Sequence, residues 1–164
     1  MVVCDAVVKR AAVDVLRSHP IDPGKYQILF AGPVAEVEEA IEAGEEAARD
    51  ALMDHLILPY VHEQVVPAIR GRLEAPEIDS VGIVEAHTIA GAILGLDAAL
   101  KAAEVQPVEL RLASGLGGKG YFVLTGELYD VEAALEAAVA VAGSDAQTEI
   151  IARPHPDFVD GALR

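Results

Sequence analysis

The chain of 164 residues is long enough for one or two small domains, and hydrophobic residues make up 52% of it, enough for a sizeable core. Only 4% of the residues are aromatic, which predicts a core of Ala, Val, Leu and Ile with small residues where elements meet. A formal charge of −15 argues against binding to nucleic acid or anionic membranes, whose phosphates attract clustered Lys and Arg, and favours a solvated acidic surface.

Cysteine content and the N-terminal segment bear on the cellular location. Cys4 is the only cysteine, which excludes an internal disulfide bond and a multi-cysteine metal site within one chain. Residues 1–5 contain no basic region and no long apolar run, so they do not predict a signal peptide. The longest apolar stretch, Ile89–Leu96, is too short to span a bilayer. We therefore expect an intracellular protein.

The first half of the chain predicts two helices. The chain is already within the first helix at about Val2. The second helix is indicated by apolar and small residues at helical spacing from Val37 to Ala48. The opposite face of the second helix carries Glu38, Glu39, Glu42, Glu45 and Glu46. We interpret this acidic run as the solvated side of an amphipathic helix and not as a metal site.

A polar segment containing Gly71 and Pro76 joins the two halves and is the best candidate for a domain boundary. We place the first domain at residues 1–71, a linker at 72–79 and the second domain at 80–164.

The second half alternates strands and helices. The predicted strands are Ser80–His87, Val108–Leu112, Tyr121–Thr125 and Thr148–Ile151, and the predicted helices are Thr88–Ala103 and Asp130–Ala142, the latter with Asp130 as N-cap. A glycine-rich loop at residues 113–119 joins the second and third strands. Gly117–Lys119 does not match a phosphate-binding loop, because it lacks that loop's pattern and precedes a strand.

The two halves are copies of one another. Asp5–Lys9 matches Asp97–Lys101 at an offset of 92, and Gly24-Lys25 matches Gly118-Lys119 at an offset of 94. The helix after each loop matches as well, so the chain is a tandem duplication. The first copy lacks the first strand and half of the first helix, which would leave a sheet edge open. Either a misplaced start codon shortened the chain or another segment covers that edge.

The second half resembles the bacterial microcompartment (BMC) shell domain. The residues that carry the resemblance are Val81–Glu85, Asp97–Ala103, the glycine loop before Lys119, and Ile151–His155. Two copies in one chain resemble the tandem-domain class of shell proteins. Those of the propanediol-utilisation type are most similar, through Pro23–Lys25, Val65–Ile69, Gly115–Lys119 and Asp130-Val131.

This resemblance implies an α/β (α+β) fold of two ferredoxin-like BMC domains, each an antiparallel sheet flanked by helices. It implies that three chains form a pseudohexameric disc with a central pore, and that discs tile into the microcompartment shell in the bacterial cytoplasm. The implied partners are the chain itself, other shell proteins and encapsulated enzymes, but neither nucleic acid nor a membrane.

Two loops would line the pore by this resemblance. The pore residues are His19, Pro20, Ile21, Asp22, Pro23 and Gly24 from the first loop and Ser114, Gly115, Leu116, Gly117 and Gly118 from the second. Judged by composition alone, the less favoured alternative is that both loops are ordinary tight turns.

Some relatives carry a cysteine just before Pro-Gly-Lys and hold an iron–sulfur cluster in the pore. Asp22 occupies that position here, and carboxylates are poor substitutes for thiolates. We therefore expect no cofactor. A ring of Asp22 with His19 nearby could bind a divalent cation or bias the pore against anions, although Asp before Pro is more often a turn former.

By the same resemblance, Lys9, Lys101 and Arg153 lie at the edge where discs meet. The alternative for the two lysines is a modest surface ion pair with Asp5 and Asp97, four residues earlier in each helix. The first half has Leu58 in place of the arginine, so its edges should differ.

The sequence favours a structural shell protein with a pore for metabolites. The alternative is a trimeric ferredoxin-like protein that binds a small molecule or transmits a signal. An enzyme is disfavoured, because no nucleophile with a base and no perturbed carboxylate pair is recognisable.

Overall fold

The computed structural model describes residues 1–113 and 115–163, which fall into two compact units. The first unit is Met1–Tyr60 and the second begins at Val61. Residues 72–79 lie outside regular secondary structure between the last helix before the second sheet and its first strand. Their assignment as the linker between domains stays a prediction.

The first unit is a two-stranded sheet with two helices. Its elements are α1 (Val2–Arg10), β1 (Asp14–Ile21), β2 (Lys25–Ala31), α2 (Val34–Ala48) and a 3₁₀ turn at Arg49–Ala51. β1 and β2 pair antiparallel with a bulge between Val15 and Arg17. The buried cluster is small, consisting of Val7, Ala11 and Ala40 with Val13 and Phe30 packed against it.

The second unit has a complete sheet. Its elements are α3 (Val65–Ile69), β3 (Ser80–Ala86), α4 (Ile89–Ala102), β4 (Gln106–Leu112), β5 (Gly120–Gly126), α5 (Leu128–Ala142), β6 (Gln147–Ile151) and α6 (Pro156–Ala162). The strand order is β4-β5-β3-β6, and all neighbours are antiparallel. The predicted fold class, antiparallel sheets flanked by helices, is confirmed.

Local sequence explains most element boundaries. The Thr88 hydroxyl accepts a hydrogen bond from the Gly91 amide at 2.9 Å and caps α4, as its position before an apolar helix suggests. Pro107 lies in the bulge of the edge strand β4, where a missing N–H costs no ladder bond. Asp130 is not the N-cap of α5. That helix begins at Leu128, and Asp130 is the acidic residue of its first turn, where the helix dipole favours negative charge.

The first sheet lacks two strands relative to the second. No strand precedes α1 in the described residues, as predicted, and the segment after α2 that corresponds to β6 forms no strand either. The second absence was not predicted. It follows from the pairing in the second unit, where β6 pairs with β3 and the first unit has no counterpart of β3.

Small residues bring α4 and α5 into close contact, as the composition predicts. A Cβ atom at Gly91 would lie 2.4 Å from the carbonyl oxygen of Ala142, and one at Gly95 would lie 3.1 Å from the Ala142 Cβ. Gly82 of β3 lies equally close to α5, since a Cβ there would meet Leu135 Cδ1 at 2.6 Å. Within the described residues no helix is both long and apolar enough to cross a membrane.

Replacing Gly91 by alanine is predicted to destabilise the protein by about 1–3 kcal/mol, although alanine is the better helix former. The added methyl group meets a backbone carbonyl that moves only if the helix moves. Thermal and urea denaturation of the variant measure the change in stability.

Gly44→Ala is the matched control, because Gly44 lies inside helix α2 and its added Cβ would meet Val7 Cγ2 at an ordinary 3.4 Å. We expect this change to be neutral or to stabilise by up to about 1 kcal/mol. A Gly91→Ala protein as stable as the Gly44→Ala protein would contradict the close-packing argument.

Candidate functional site

The first predicted pore loop is the hairpin turn between β1 and β2. His19, Pro20 and Ile21 end β1, and Asp22, Pro23 and Gly24 form the turn, with a cis peptide bond at Asp22-Pro23 and a φ of 76° at Gly24. The turn residues are exposed, whereas His19 is half-buried with its Nδ1 3.1 Å from the Pro20 carbonyl oxygen.

Just below this turn, Ser18 Oγ and Tyr26 Oη lie 3.2 Å apart and tie the two strands together. In the described part of the chain, no three His, Cys, Asp or Glu side chains converge on a metal site. Binding of a cation by His19 and Asp22 from several chains stays a prediction.

The second predicted pore loop joins β4 and β5. Gly115, Leu116, Gly117 and Gly118 form its turn, and Ser114 lies outside the described residues. Its base is closed by the Ala113 amide, which donates to the Lys119 carbonyl at 2.8 Å.

Glycine is required in this loop by backbone conformation. Gly115 and Gly117 have φ values of 73° and 62°, and a Cβ at either position would meet no atom within 4 Å. A side chain at either position would therefore be both strained and exposed.

The predicted edge residues lie at helix ends and beyond β6. Lys9 and Lys101 are in the last turns of α1 and α4. Arg153 follows β6 with a φ of 49°.

Arg153 borders an open cleft of about 460 Å³ in the second unit, lined also by Asp79, Ser80, Glu127, Leu128, Tyr129 and Ala152. The charges of Asp130 and Glu127 raise the pKa of the exposed Tyr129, so the helical side of this cleft is acidic. Leu58, the counterpart of Arg153, cannot supply its positive charge in the first unit.

Comparison with known proteins identifies the family. The BMC domain model matches the chain twice, at residues 1–61 and 80–154. The chain belongs to the BMC-domain family. It is 40% identical to the bacterial microcompartment shell protein PduT of Citrobacter freundii over an aligned region of 154 residues. That region covers 92% of this chain and 84% of that protein.

Solved structures agree with this assignment. A microcompartment protein from Desulfitobacterium hafniense DCB superposes with a TM-score of 0.91 at 36% identity, covering 98% of this chain and 90% of that one. The fused permuted hexameric shell protein MSM0275 of the RMM microcompartment gives a TM-score of 0.61 at 24% identity over 85% of this chain and 75% of that one, which supports the fold alone.

The same Asp-x-x-x-Lys motif has a different environment in each of the two BMC domains. Both pairs are formed, with Nζ–Oδ2 distances of 2.6 Å for Lys9–Asp5 and Lys101–Asp97. The Asp5 side chain is 61% exposed, so that pair is the expected surface ion pair. The Asp97 side chain is only 5% exposed, and its second oxygen accepts a hydrogen bond from the His62 amide at 2.7 Å.

Asp97 is therefore not a surface residue, so the alternative interpretation, a modest surface ion pair in each domain, does not describe the Lys101–Asp97 pair. It links α4 to the segment before α3 and holds the Lys101 ammonium group at one place on the helix end. The sequence motif could not distinguish Asp97 from Asp5, because the difference comes from a residue 35 positions away.

A polar cluster on the sheet of the second BMC domain was not predicted. Glu109 bonds both the Arg111 guanidinium, at 2.8 Å, and the Tyr121 hydroxyl, at 3.0 Å. Next to it, Lys119 Nζ lies 2.6 Å from Glu85 Oε1. The alternation of side chains along the strands could have predicted this cluster, because residues 85, 109, 111 and 121 share one face of the sheet once the strand register is known.

These contacts give Lys119 a structural partner, Glu85. Burial, followed by the hydrogen bond to Glu109, raises the pKa of Tyr121. The bond to the same carboxylate raises the pKa of Arg111. The cluster keeps its charges paired and shows no residue prepared for acid–base chemistry.

Asp97→Ala is predicted to destabilise the protein by about 1.5–3 kcal/mol, because it leaves a part-buried amide and an ammonium group without their acceptor. Asp5→Ala, the matched change in the first domain, should cost less than about 1 kcal/mol, since an exposed pair is screened by solvent. Urea denaturation of both variants, at a protein concentration low enough to keep the chain monomeric, measures the difference. Equal losses would show that the buried bond to His62 does not stabilise the fold.

Proposed function

We propose that this chain is a structural shell protein of a bacterial microcompartment, in which three copies form a pseudohexameric disc that tiles into a facet. The observation that carries the proposal is the pair of BMC domains in one chain, together with 40% identity over 92% of the chain to a protein named as a microcompartment shell protein. Three tandem chains supply six such domains.

The assembly follows from this domain count. A chain of two similar domains generates an approximate six-fold disc when three chains close a ring, since each chain then contributes two neighbouring positions. Its partners are further copies of itself and other shell proteins, and enzymes enclosed by the shell are a further class of partner. Its place is the shell of the microcompartment in the bacterial cytoplasm.

A central pore gives the disc its one chemical role, the selective passage of metabolites. The two hairpin turns, residues 19–24 and 115–118 with Ser114, would alternate around its axis. The second turn consists of three glycines and Leu116, so its described residues add no charged side chain. The charge at the opening would then come chiefly from Asp22, one copy from each chain, which favours cations over anions.

We propose no catalytic activity. PduT is a shell protein by its name. The charged groups of the polar cluster are already paired with one another.

Lys9, Lys101 and Arg153 are the proposed edge residues. The three lie in different environments, with Lys9 exposed, Lys101 held by a buried carboxylate and Arg153 beside an acidic cleft. The edges of the disc that carry the first domain would therefore not be equivalent to those that carry the second.

The decisive test is assembly, measured as absolute mass by light scattering with negative-stain imaging of the same fraction. We expect three times the chain mass of 17.2 kDa and extended protein sheets. In the Lys101→Gln variant we expect the trimer to remain while sheets are lost, because the donor at the edge is removed.

Arg72→Gln is the matched control, since it removes one positive charge from an exposed residue outside the proposed edge. Trimers that never form sheets would favour the alternative function, a trimeric ligand-binding protein. A chain that stays monomeric under all conditions would reject the proposed disc. Normal sheets from the Lys101→Gln protein would reject the role of that lysine.

Asp22→Lys is predicted to abolish or reverse the cation preference of the pore, because it replaces three negative charges around the axis by three positive ones. The reversal potential of trimers inserted in a planar bilayer under a salt gradient measures the preference. Asp54→Lys makes the same charge change at an exposed residue outside the turn. If both variants shift the potential equally, Asp22 does not set the selectivity.

A further inference from the structure

The segment that follows the first BMC domain covers an edge of the second. α3 contacts α4 and the edge strand β4, with Val65, Ala68 and Ile69 buried. Directly before α3, the His62 amide donates to the buried Asp97 carboxylate. Helix and amide together contact α4 and β4.

α6 is the counterpart of α3 after the second domain. His62 Nδ1 accepts a hydrogen bond from the amide two residues later, at 3.3 Å, and its carbonyl accepts one from the amide of Val65, at 3.0 Å. His155 makes the same two bonds, to the amides of Asp157 at 3.2 Å and Phe158 at 2.9 Å. The same histidine turn thus begins both helices and aligns Val65 with Phe158.

α6 is covered far less than α3. Val65 is fully buried, whereas Phe158 keeps 37% of its surface exposed, and Val159 is the buried residue of α6. Phe158 thus exposes an apolar side chain at the position where the equivalent residue of α3, Val65, is fully buried.

The surface that α3 covers has an uncovered counterpart in the first domain. The Asp97 side chain is 5% exposed and that of Asp5 is 61% exposed. Three residues further along the same face, Leu100 is 6% exposed and Val8 is 45% exposed. β1 pairs with β2 alone, as β4 pairs with β5 alone, so its other side is also an edge.

From this match we propose that α6 of one protomer docks on α1 and β1 of the next protomer, in the way that α3 docks on α4 and β4 within the chain. The Asp5 carboxylate accepts the hydrogen bond of the neighbour's His155 amide, and Phe158 packs on Val8. The proposal rests on the proposed trimer and names the contact that closes it.

The geometry of this contact suits a closed ring. Each protomer offers one α6 and one α1–β1 surface, so the contact is heterologous and closes when three protomers complete one turn. The charges also match, because Lys9 and Arg10 end α1 while Asp157 lies in the first turn of α6.

Crosslinking of the full-length chain tests the contact. In a Cys4→Ser background, Val8→Cys and Phe158→Cys are combined and treated with a short bismaleimide. We expect covalent dimers and trimers on a denaturing gel. The control pair combines Phe158→Cys with Val139→Cys, a residue of α5 as exposed as Phe158, and should give only the background of random encounters.

A second measurement asks whether the contact contributes to association. Phe158→Asp should raise the protein concentration at which the trimer dissociates by about tenfold or more, whereas Val139→Asp should not. Light scattering on dilution series of both variants reports this concentration. A trimer that withstands Phe158→Asp as well as Val139→Asp contradicts a stabilising contact.

The same data separate this inference from the proposed function. A trimer by mass in which the Val8–Phe158 pair crosslinks no better than the control pair overturns the α6 contact and leaves the shell function standing. A chain that is monomeric by mass overturns both.

Discussion

The close approach of α4 and α5 is the constraint on which the rest of the second BMC domain depends. Gly91 faces the carbonyl of Ala142 where no side chain fits, and Gly82 of β3 lies against Leu135 with equally little space. These close approaches leave the helices little room to shift against each other or against the sheet. Burial of a small aliphatic side chain contributes less free energy than burial of an aromatic side chain. An interior of small aliphatic residues nevertheless packs at high density and makes many van der Waals contacts.

Local signals made most of the second domain predictable from sequence. Thr88 marks the start of α4, and the alternation and glycine punctuation around Val108–Thr125 locate the hairpin. The missing counterpart of β6 was not predictable in this way, because a strand exists only when its partner does. Its partner, β3, has no equivalent in the first half, and no property of residues 52–57 records that absence.

The candidate site was predictable to a similar extent. The turn at Asp22 and the glycine turn before Lys119 could be located from sequence, because proline restricts the backbone dihedral angles and glycine permits a positive φ. The burial of Asp97 could not be, since Asp5 stands in the same motif and remains exposed. The difference arises from the His62 amide, a group that every residue except proline carries and that no sequence pattern identifies.

This difference explains how one duplicated motif can serve two purposes. Within the chain, Asp97 binds a segment that is always present, because the chain itself supplies it, and the cost of ordering that segment is met on folding. Asp5 accepts a hydrogen bond from Lys9 and stays 61% exposed, and in the proposed contact a neighbouring chain supplies the second donor. On the proposed contact, the tandem duplication makes one of two equivalent contacts internal to the chain and leaves the other to form between chains. Lys101 and Lys9 differ in the same way, since the carboxylate that binds Lys101 is buried and the one that binds Lys9 is exposed.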